Sequence, residues 1–222
     1  MKRLYIACIS DIHNHLISSE VMPEADMLII AGDATSRGSY ADFMLFKQNL
    51  EDWSPLYKYI VYVPGKHDAG MEEHYQMLYE LLTEVPNVVI LVNTDVELLG
   101  LTIWGSPNSK ADSNWAFTQK APALERTYDA IPSTTDILVT YAPAFGVLDI
   151  VHNYRSYNQN TGCRFVRKTV ERIKPLLHVF GSAHDSYGYE VVNGTQCVNA
   201  SYVNEEFLPR NEVQVIELEI PQ

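Results

Sequence analysis

No apolar run in this chain reaches the roughly 20 residues that a bilayer-crossing helix needs. The start, MKRLYIACISD, also lacks the plan of a signal peptide. Lys2 and Arg3 supply a basic beginning, but the apolar stretch breaks at Ser10-Asp11 and no small-residue cleavage site follows. The expectation is a cytoplasmic protein with no membrane partner. Cysteine is scarce: Cys8, Cys163 and Cys197 are odd in number, far apart and without a CxxC spacing. That excludes a disulfide framework and a zinc knuckle and predicts buried or idle thiols. Asn193-Gly194-Thr195 and Asn199-Ala200-Ser201 match the glycosylation pattern, which carries no meaning without secretion. Positive charge is scarce too. With 16 Lys and Arg against 28 Asp and Glu, the net charge of −12 excludes a nucleic-acid duplex as partner. Small anionic ligands stay admissible, because a local site with a metal can be positive inside an acidic protein. Internal repeats, low-complexity tracts and linkers are absent as well.

What is present is the composition of an ordinary globular domain, with 46% hydrophobic and 20% charged residues in 222. One domain over residues 1–222 is expected. Leu4–Ser10, Met27–Gly32, Tyr59–Val63 and Val88–Val92 are short apolar runs suited to strands buried on both faces. Between them Phe43, Phe46, Leu50 and Trp53 share one helical face, as do Leu78, Leu81 and Val85. Strands separated by helices imply a parallel sheet with right-handed crossovers. After Asn93 the pattern changes. Val96–Gly100 with Leu101–Trp104 reads as a hairpin, and so do Tyr187–Val192 and Thr195–Asn199 around Asn193-Gly194. Ile137–Thr140 and Leu176–Phe180 read as buried strands, with a helix marked by Phe165, Val166, Thr169, Val170 and Ile173 between them. Val213–Ile220 nearly alternates and is expected to close the sheet, while 106–132, polar and proline-rich, reads as a long surface excursion. A parallel half and a hairpin-rich half can pack as two sheets with helices outside.

The chemistry-bearing residues fall at the carboxyl ends of five of these strands, where open α/β sheets place ligands. They are Ser10-Asp11-Ile12-His13, Gly32-Asp33, Gly65-Lys66-His67-Asp68, Thr140-Tyr141-Ala142-Pro143 and Gly181-Ser182-Ala183-His184. Singly each has a plain structural reading, such as a helix cap, a turn or a hydrogen-bonded loop histidine. Jointly they bring carboxylate and imidazole to one sheet edge. That donor set suits one divalent ion, Mn²⁺, Fe²⁺, Zn²⁺ or Co²⁺, better than Ca²⁺.

The order D-x-H, G-D, G-x-H-D, T-x-x-P and G-x-x-H resembles that of the calcineurin-like metallophosphoesterases. Within them it is most similar to the small subgroup of metallophosphoesterase-domain proteins related to class III cyclic nucleotide phosphodiesterases. The resemblance runs almost the whole chain and includes Gly105-Ser106-Pro107, Trp115-Ala116-Phe117, Thr135–Thr140, Leu177–Gly181 and Asn199-Ala200-Ser201. It implies a four-layer α-β-β-α sandwich of two mixed sheets with a two-metal site at one edge. The family's first ion is held at the positions that are Asp11, His13, Asp33 and His184 here, and all four residue types are retained. The second ion shares the Asp33 position and takes three more, which here are Lys66, Tyr141 and Ser182. Each of these three differs from the family's ligand, so the resemblance implies one bound ion and a degenerate second position. His67 matches the family histidine that faces the leaving group or phosphate, and Asp68 either orients it or caps the next helix.

Two readings follow. One is a one-metal phosphodiesterase acting weakly on a cyclic nucleotide or another small phosphodiester. The other is a pseudoenzyme that binds or sequesters a nucleotide. Either way the partner is a small phosphorylated ligand. Lys66 either places its ammonium in the vacated position or points into solvent, and Tyr141 either hydrogen-bonds a phosphate oxygen or packs. Trp104, Trp115, Phe145 and Tyr187 are candidates for stacking on a base, each with core or loop packing as the plainer role.

Overall fold

The computed structural model describes residues 2–111, 114–153 and 156–220. The first half supplies β1 (Lys2–Ile9), β2 (Met27–Ala31), α1 (Tyr40–Trp53), β3 (Tyr59–Val63), α2 (Gly70–Glu73), α3 (Tyr75–Thr83) and β4 (Val88–Ile90). The second half begins with β5 (Thr94–Leu98), β6 (Leu101–Ser106), β7 (Ser109–Lys110), β8 (Thr118–Gln119), α4 (Ala121–Asp129) and β9 (Ile137–Thr140). It continues through β10 (Ile150–Asn153), β11 (Ser156–Asn160), α5 (Arg164–Ile173), β12 (Leu177–Phe180), β13 (Gly188–Val192), β14 (Thr195–Asn199) and β15 (Gln214–Ile220).

Two mixed sheets result. The five-stranded sheet runs β15-β1-β2-β3-β4 and is parallel except for β15. The six-stranded sheet runs β13-β14-β12-β9-β6-β5. Its hairpins form only the edges, because β14, β12, β9 and β6 pair in parallel. The second half is therefore less hairpin-like than its turn signals suggest. β15 leaves that half altogether and closes the first sheet, pairing Lys2 with Ile220 through to Cys8 with Gln214.

Strand alternation sorts the side chains into three buried layers. Ala7 and Ile9 of β1 and Leu28 and Ile30 of β2 meet Phe43, Phe46, Leu50 and Trp53 of α1. Their alternates, Ile6, Cys8, Met27 and Ile29, meet Ile103, Ile137, Val139 and Val179 of the other sheet. Leu138, Phe180 and Cys197 turn outward onto Leu124 and Tyr128 of α4 and Val166 and Val170 of α5. Helix, sheet, sheet, helix is thus the order of layers. Burial on both faces explains why the strands read as unbroken apolar runs. Each fully buried Leu, Ile or Phe contributes about 1.5–3 kcal/mol.

Local signals agree where they are strong. A capping box starts α1, with Ser39 Oγ accepting from the Asp42 amide (3.2 Å) and Asp42 accepting from the Ser39 amide (3.1 Å). The stretch 106–132 is the main correction. It holds α4, whose Leu124 and Tyr128 are fully buried against α5. Its proline sits in the first helical turn, where a missing N–H costs nothing. The Tyr128 hydroxyl donates to the Asn108 carbonyl at 2.6 Å, so a largely polar sequence is anchored by two side chains. Asp112 and Ser113 of that stretch lie outside the described residues. Cys8, Cys163 and Cys197 are free and buried. Among the described residues no helix is long and apolar enough to cross a membrane.

His178 of β12 is fully buried under the loop that follows β9. Its Nε2 lies 2.8 Å from Thr140 Oγ1, which itself donates to the Ala142 carbonyl at 2.7 Å. Burial pushes this imidazole down from 6.5 to about 3. Between those values an unfolded chain takes up a proton that the folded chain refuses, so this contribution is lost as pH falls from 6.5 towards 3. His178→Gln is therefore expected to lower the dependence of unfolding free energy on pH in that window by about 1.4 kcal/mol per unit, measured by urea denaturation. An unchanged slope would show that His178 does not carry it.

Candidate metal centre

The carboxyl ends of β1, β2, β3, β9 and β12 converge where the edges of the two sheets meet. The Asp11 amide donates to the Gly32 carbonyl (2.9 Å) and the His13 amide to the Asp33 carbonyl (3.0 Å), locking the first two loops together. The chain turns sharply there, and Asp11, His13, Asp33 and Ser182 all have positive φ, at 53°, 46°, 50° and 71°. Such conformations cost about 1–3 kcal/mol each for non-glycine residues, and strain of this kind concentrates at functional sites.

Asp11 is fully buried at the centre. Its Oδ2 accepts from Ser10 Oγ (2.7 Å), Ser201 Oγ (2.8 Å) and the Ser182 amide (3.0 Å). Oδ1 faces His184 Nε2 at 3.3 Å. Burial pushes this carboxyl upward, but the hydrogen bond and charge of His184, the charge of His13 and the Ser10 hydroxyl hold it at about 2. The approach is possible only because position 181 is glycine, since a Cβ there would collide with Ser10 Oγ and Asp11 Oδ2.

The two histidines present nitrogen to the same space. His184 Nδ1 donates to the Asn204 carbonyl (3.1 Å), which directs Nε2 inward, the usual way a ligating imidazole is oriented. Burial alone would lower the His184 imidazole, but Asp11 reverses the sign and raises it. His13 goes the other way. Burial pushes it down to about 4 despite Asp11, with His67 and His184 adding to the effect, so at neutral pH it keeps a lone pair. Its Nε2 is buried without a hydrogen-bond partner among the described residues. One ligand atom from each of Asp11, His13 and His184 lies within 4.8 Å of the others. An unpartnered buried nitrogen beside an ionised carboxylate and a second oriented imidazole fits a divalent ion of the Mn²⁺, Fe²⁺, Zn²⁺ or Co²⁺ type.

Asp33 flanks this cluster, with Oδ2 3.9 Å from His13 Nε2. Its other oxygen accepts the His67 amide at 2.8 Å. Burial, then the charges of Asp11 and Asp68, push Asp33 well above the ordinary carboxylate range, as expected of a buried carboxylate best satisfied by a cation. Tyr141 is buried, and a Cβ on either Gly32 or Gly65 would strike its ring. Its hydroxyl interacts with Asp33 and Ser182. Packing is thus the observed role of the Tyr141 ring, with the hydroxyl turned to the centre. Lys66 is half-buried and lines a cavity shared with Tyr141 and Ser182.

His67 Nδ1 donates to the Ser36 carbonyl at 2.8 Å, leaving Nε2 for other work. Its ring stacks on Trp115 (4.2 Å between centroids) and meets His13 edge-on (4.9 Å). The expected orienting role of Asp68 is not what the contacts display. Its carboxylate accepts from the amides of Gly65 (2.7 Å) and Thr35 (2.8 Å) and from Thr35 Oγ1 (2.8 Å), tying two loops together beneath the site. Ser36 and Trp115 hold the imidazole instead. Of the other aromatic candidates, Phe145 lines the cavity and Trp104 packs near α4 and α5. Tyr187 donates to the Glu212 carbonyl at 3.0 Å, away from the site. Sequence reasoning missed Phe207, whose ring stands edge-on to both His13 (4.9 Å) and His184 (5.3 Å). It sits in an unpatterned loop, so no periodicity pointed to it. Ser201 and Asn199 belonged to a recognised motif, but no role for either was legible without the contacts.

Comparison with known proteins adds independent information. The profile of the family described as Calcineurin-like phosphoesterase matches residues 4–216. A human relative, Metallophosphoesterase domain-containing protein 1, is 31% identical over 97% of this chain and 71% of its own length. A UPF0046 protein of Caenorhabditis elegans is 30% identical over 90% of this chain and 70% of its own. The crystal structure of TT1561 of Thermus thermophilus superposes with a TM-score of 0.66 at 18% identity, covering 89% of each chain, and so shares the fold.

His13→Ala is expected to abolish binding of Mn²⁺ or Zn²⁺, read by elemental analysis after dialysis. Ser201→Ala removes the hydroxyl shared between Asp11 Oδ2 and Asn199 Oδ1 and should weaken metal affinity about 10–100-fold, read by calorimetry. Undiminished metal in the His13 variant would move the site elsewhere.

Proposed function

The chain belongs to the calcineurin-like phosphoesterase family, and from that premise we propose that it is a phosphodiesterase of small phosphodiesters, cyclic nucleotides included, with one divalent ion held by Asp11, His13, Asp33 and His184. The observation that carries this reading is the orphaned Nε2 of His13 within the Asp11 and His184 cluster. When held by Asp11, His13, Asp33 and His184, such an ion would supply Lewis acidity and would lower the pKa of water. His67, fixed by the Ser36 carbonyl and stacked on Trp115, offers Nε2 to the leaving oxygen and in its protonated form donates to it. Three free thiols accord with a reducing compartment, which makes the cytoplasm the proposed location.

A single ion implies slow turnover. Water on aqueous Zn²⁺ has a pKa of about 9, against about 7 in tuned sites, a difference of about 2.7 kcal/mol and up to a hundredfold in hydroxide at neutral pH. The Tyr141 ring, packed at Gly32 and Gly65 with its hydroxyl at Asp33, supports a filled second position. The same packing favours the second reading, a protein that binds or sequesters a nucleotide without hydrolysing it.

A metal-supplemented assay on an aryl phosphodiester, cyclic AMP and cyclic GMP separates the two. Turnover that disappears in His13→Ala supports the enzyme, whereas tight nucleotide binding without turnover supports the binding protein. Restoring Lys66→Asn, Tyr141→His and Ser182→His together is expected to add a second ion and raise the rate by up to about a hundredfold. Unchanged metal content in that variant would mean that these three residues do not exclude the ion.

A further inference from the structure

A cavity of about 530 Å³ opens beside the metal centre and shares Tyr141 and Ser182 with it. Its volume exceeds what a lone phosphodiester needs and lies in the range of pockets for whole small molecules. In a chain of net charge −12, its wall carries three cations, Lys66, Lys110 and Arg164, and none of the described lining residues is acidic. The carboxylate of Asp149 is buried behind Gly162. It is engaged by the amides of Gly146 (3.0 Å) and Gly162 (2.9 Å) and by Asn160 Nδ2 (2.6 Å). Asp149 thereby shapes the wall without placing its charge in the cavity.

Two further features favour an anion there. Helices α4 and α5 both begin at this wall, at Ala121 and Arg164, and neither start has a capping side-chain hydrogen bond. Their positive dipole ends add to the cations. Independently, Ser109 is 3% exposed and lines the cavity, and its hydroxyl has no hydrogen-bond partner among the described residues. An unsatisfied buried donor of this kind is costly unless a ligand uses it. Arg164 is held in place by stacking on Phe145, 4.8 Å from the ring centre.

We propose that this cavity is an anion subsite that binds a second phosphate of the ligand whose phosphodiester lies at the metal centre. Its ligand class is a phosphodiester carrying an additional phosphate monoester. The account of what the second phosphate belongs to rests on the phosphodiesterase reading, but the subsite itself does not.

Two measurements test it. The first is calorimetric titration of inorganic phosphate into the metal-free chain. Lys110→Gln and Arg164→Gln should each weaken binding about tenfold, and Asp11→Asn should leave it in place. Lys110 is exposed, so its variant folds whatever becomes of Arg164→Gln. Phosphate binding that is absent in the wild type, or indifferent to both cations, overturns the subsite. The second compares thymidine 5′-(p-nitrophenyl phosphate) with its 3′-phosphorylated form on the metal-loaded protein. The 3′-phosphate should lower KM about tenfold, and Lys110→Gln with Arg164→Gln should erase that advantage. Equal KM values in the wild type overturn the joint-ligand claim. If neither ester is turned over, the phosphodiesterase reading fails while the phosphate titration still decides the subsite.

Discussion

The buried carboxylate of Asp11 is the joint on which the site depends. It follows β1, its amide is tied to the Gly32 carbonyl after β2, and its oxygens take donors from Ser182 after β12 and Ser201 after β14. Both sheets are thus fastened at one atom group. A carboxylate withdrawn from water is stable only with several such donors or a cation, and this one has three donors on Oδ2 while Oδ1 faces His184 Nε2 and the Ser182 amide. The glycine at 181 and the left-handed backbone at Asp11, His13 and Asp33 are the local concessions that allow the approach.

Around that joint, burial separates groups of the same chemical type. Asp11 is held low and Asp33 is pushed high. His13 is pushed low and His184 is raised. The difference lies in partners rather than depth, since Asp11 has hydroxyl and amide donors while Asp33 faces two other carboxylates. A neutral imidazole, an ionised carboxylate and a second oriented imidazole then share one small volume. Asp68 and His178 act below the surface, the first tying the Gly65 and Thr35 loops, the second supporting the loop that delivers Tyr141. Neither touches the reacting space, yet both set its walls.

Electrostatics also reconciles an acidic chain with an anionic ligand. Negative residues dominate the whole molecule, while the metal cluster and the Lys66, Lys110 and Arg164 wall lie side by side. Net charge and local charge are therefore separate quantities, and the proposed small phosphorylated ligand rests on the second.

The sequence by itself determined the principal strands of both sheets, the apolar face of α1 and the five strand ends that carry Asp11, Asp33, His67, Tyr141 and His184. Apolar runs and their polar punctuation are local properties, and a motif order survives without coordinates. It could not determine α4, whose helix depends on two buried side chains, Leu124 and Tyr128, in an otherwise polar stretch. Nor could it assign β15 to the first sheet, because strand partners separated by most of the chain leave no local trace. Only the tertiary structure decided that Asp68 braces loops, that Phe207 stands against both metal-site histidines, and that residues from α4, α5 and β7 meet beside Tyr141. Those relations are distances across the fold, set by packing between elements rather than by any spacing along the chain.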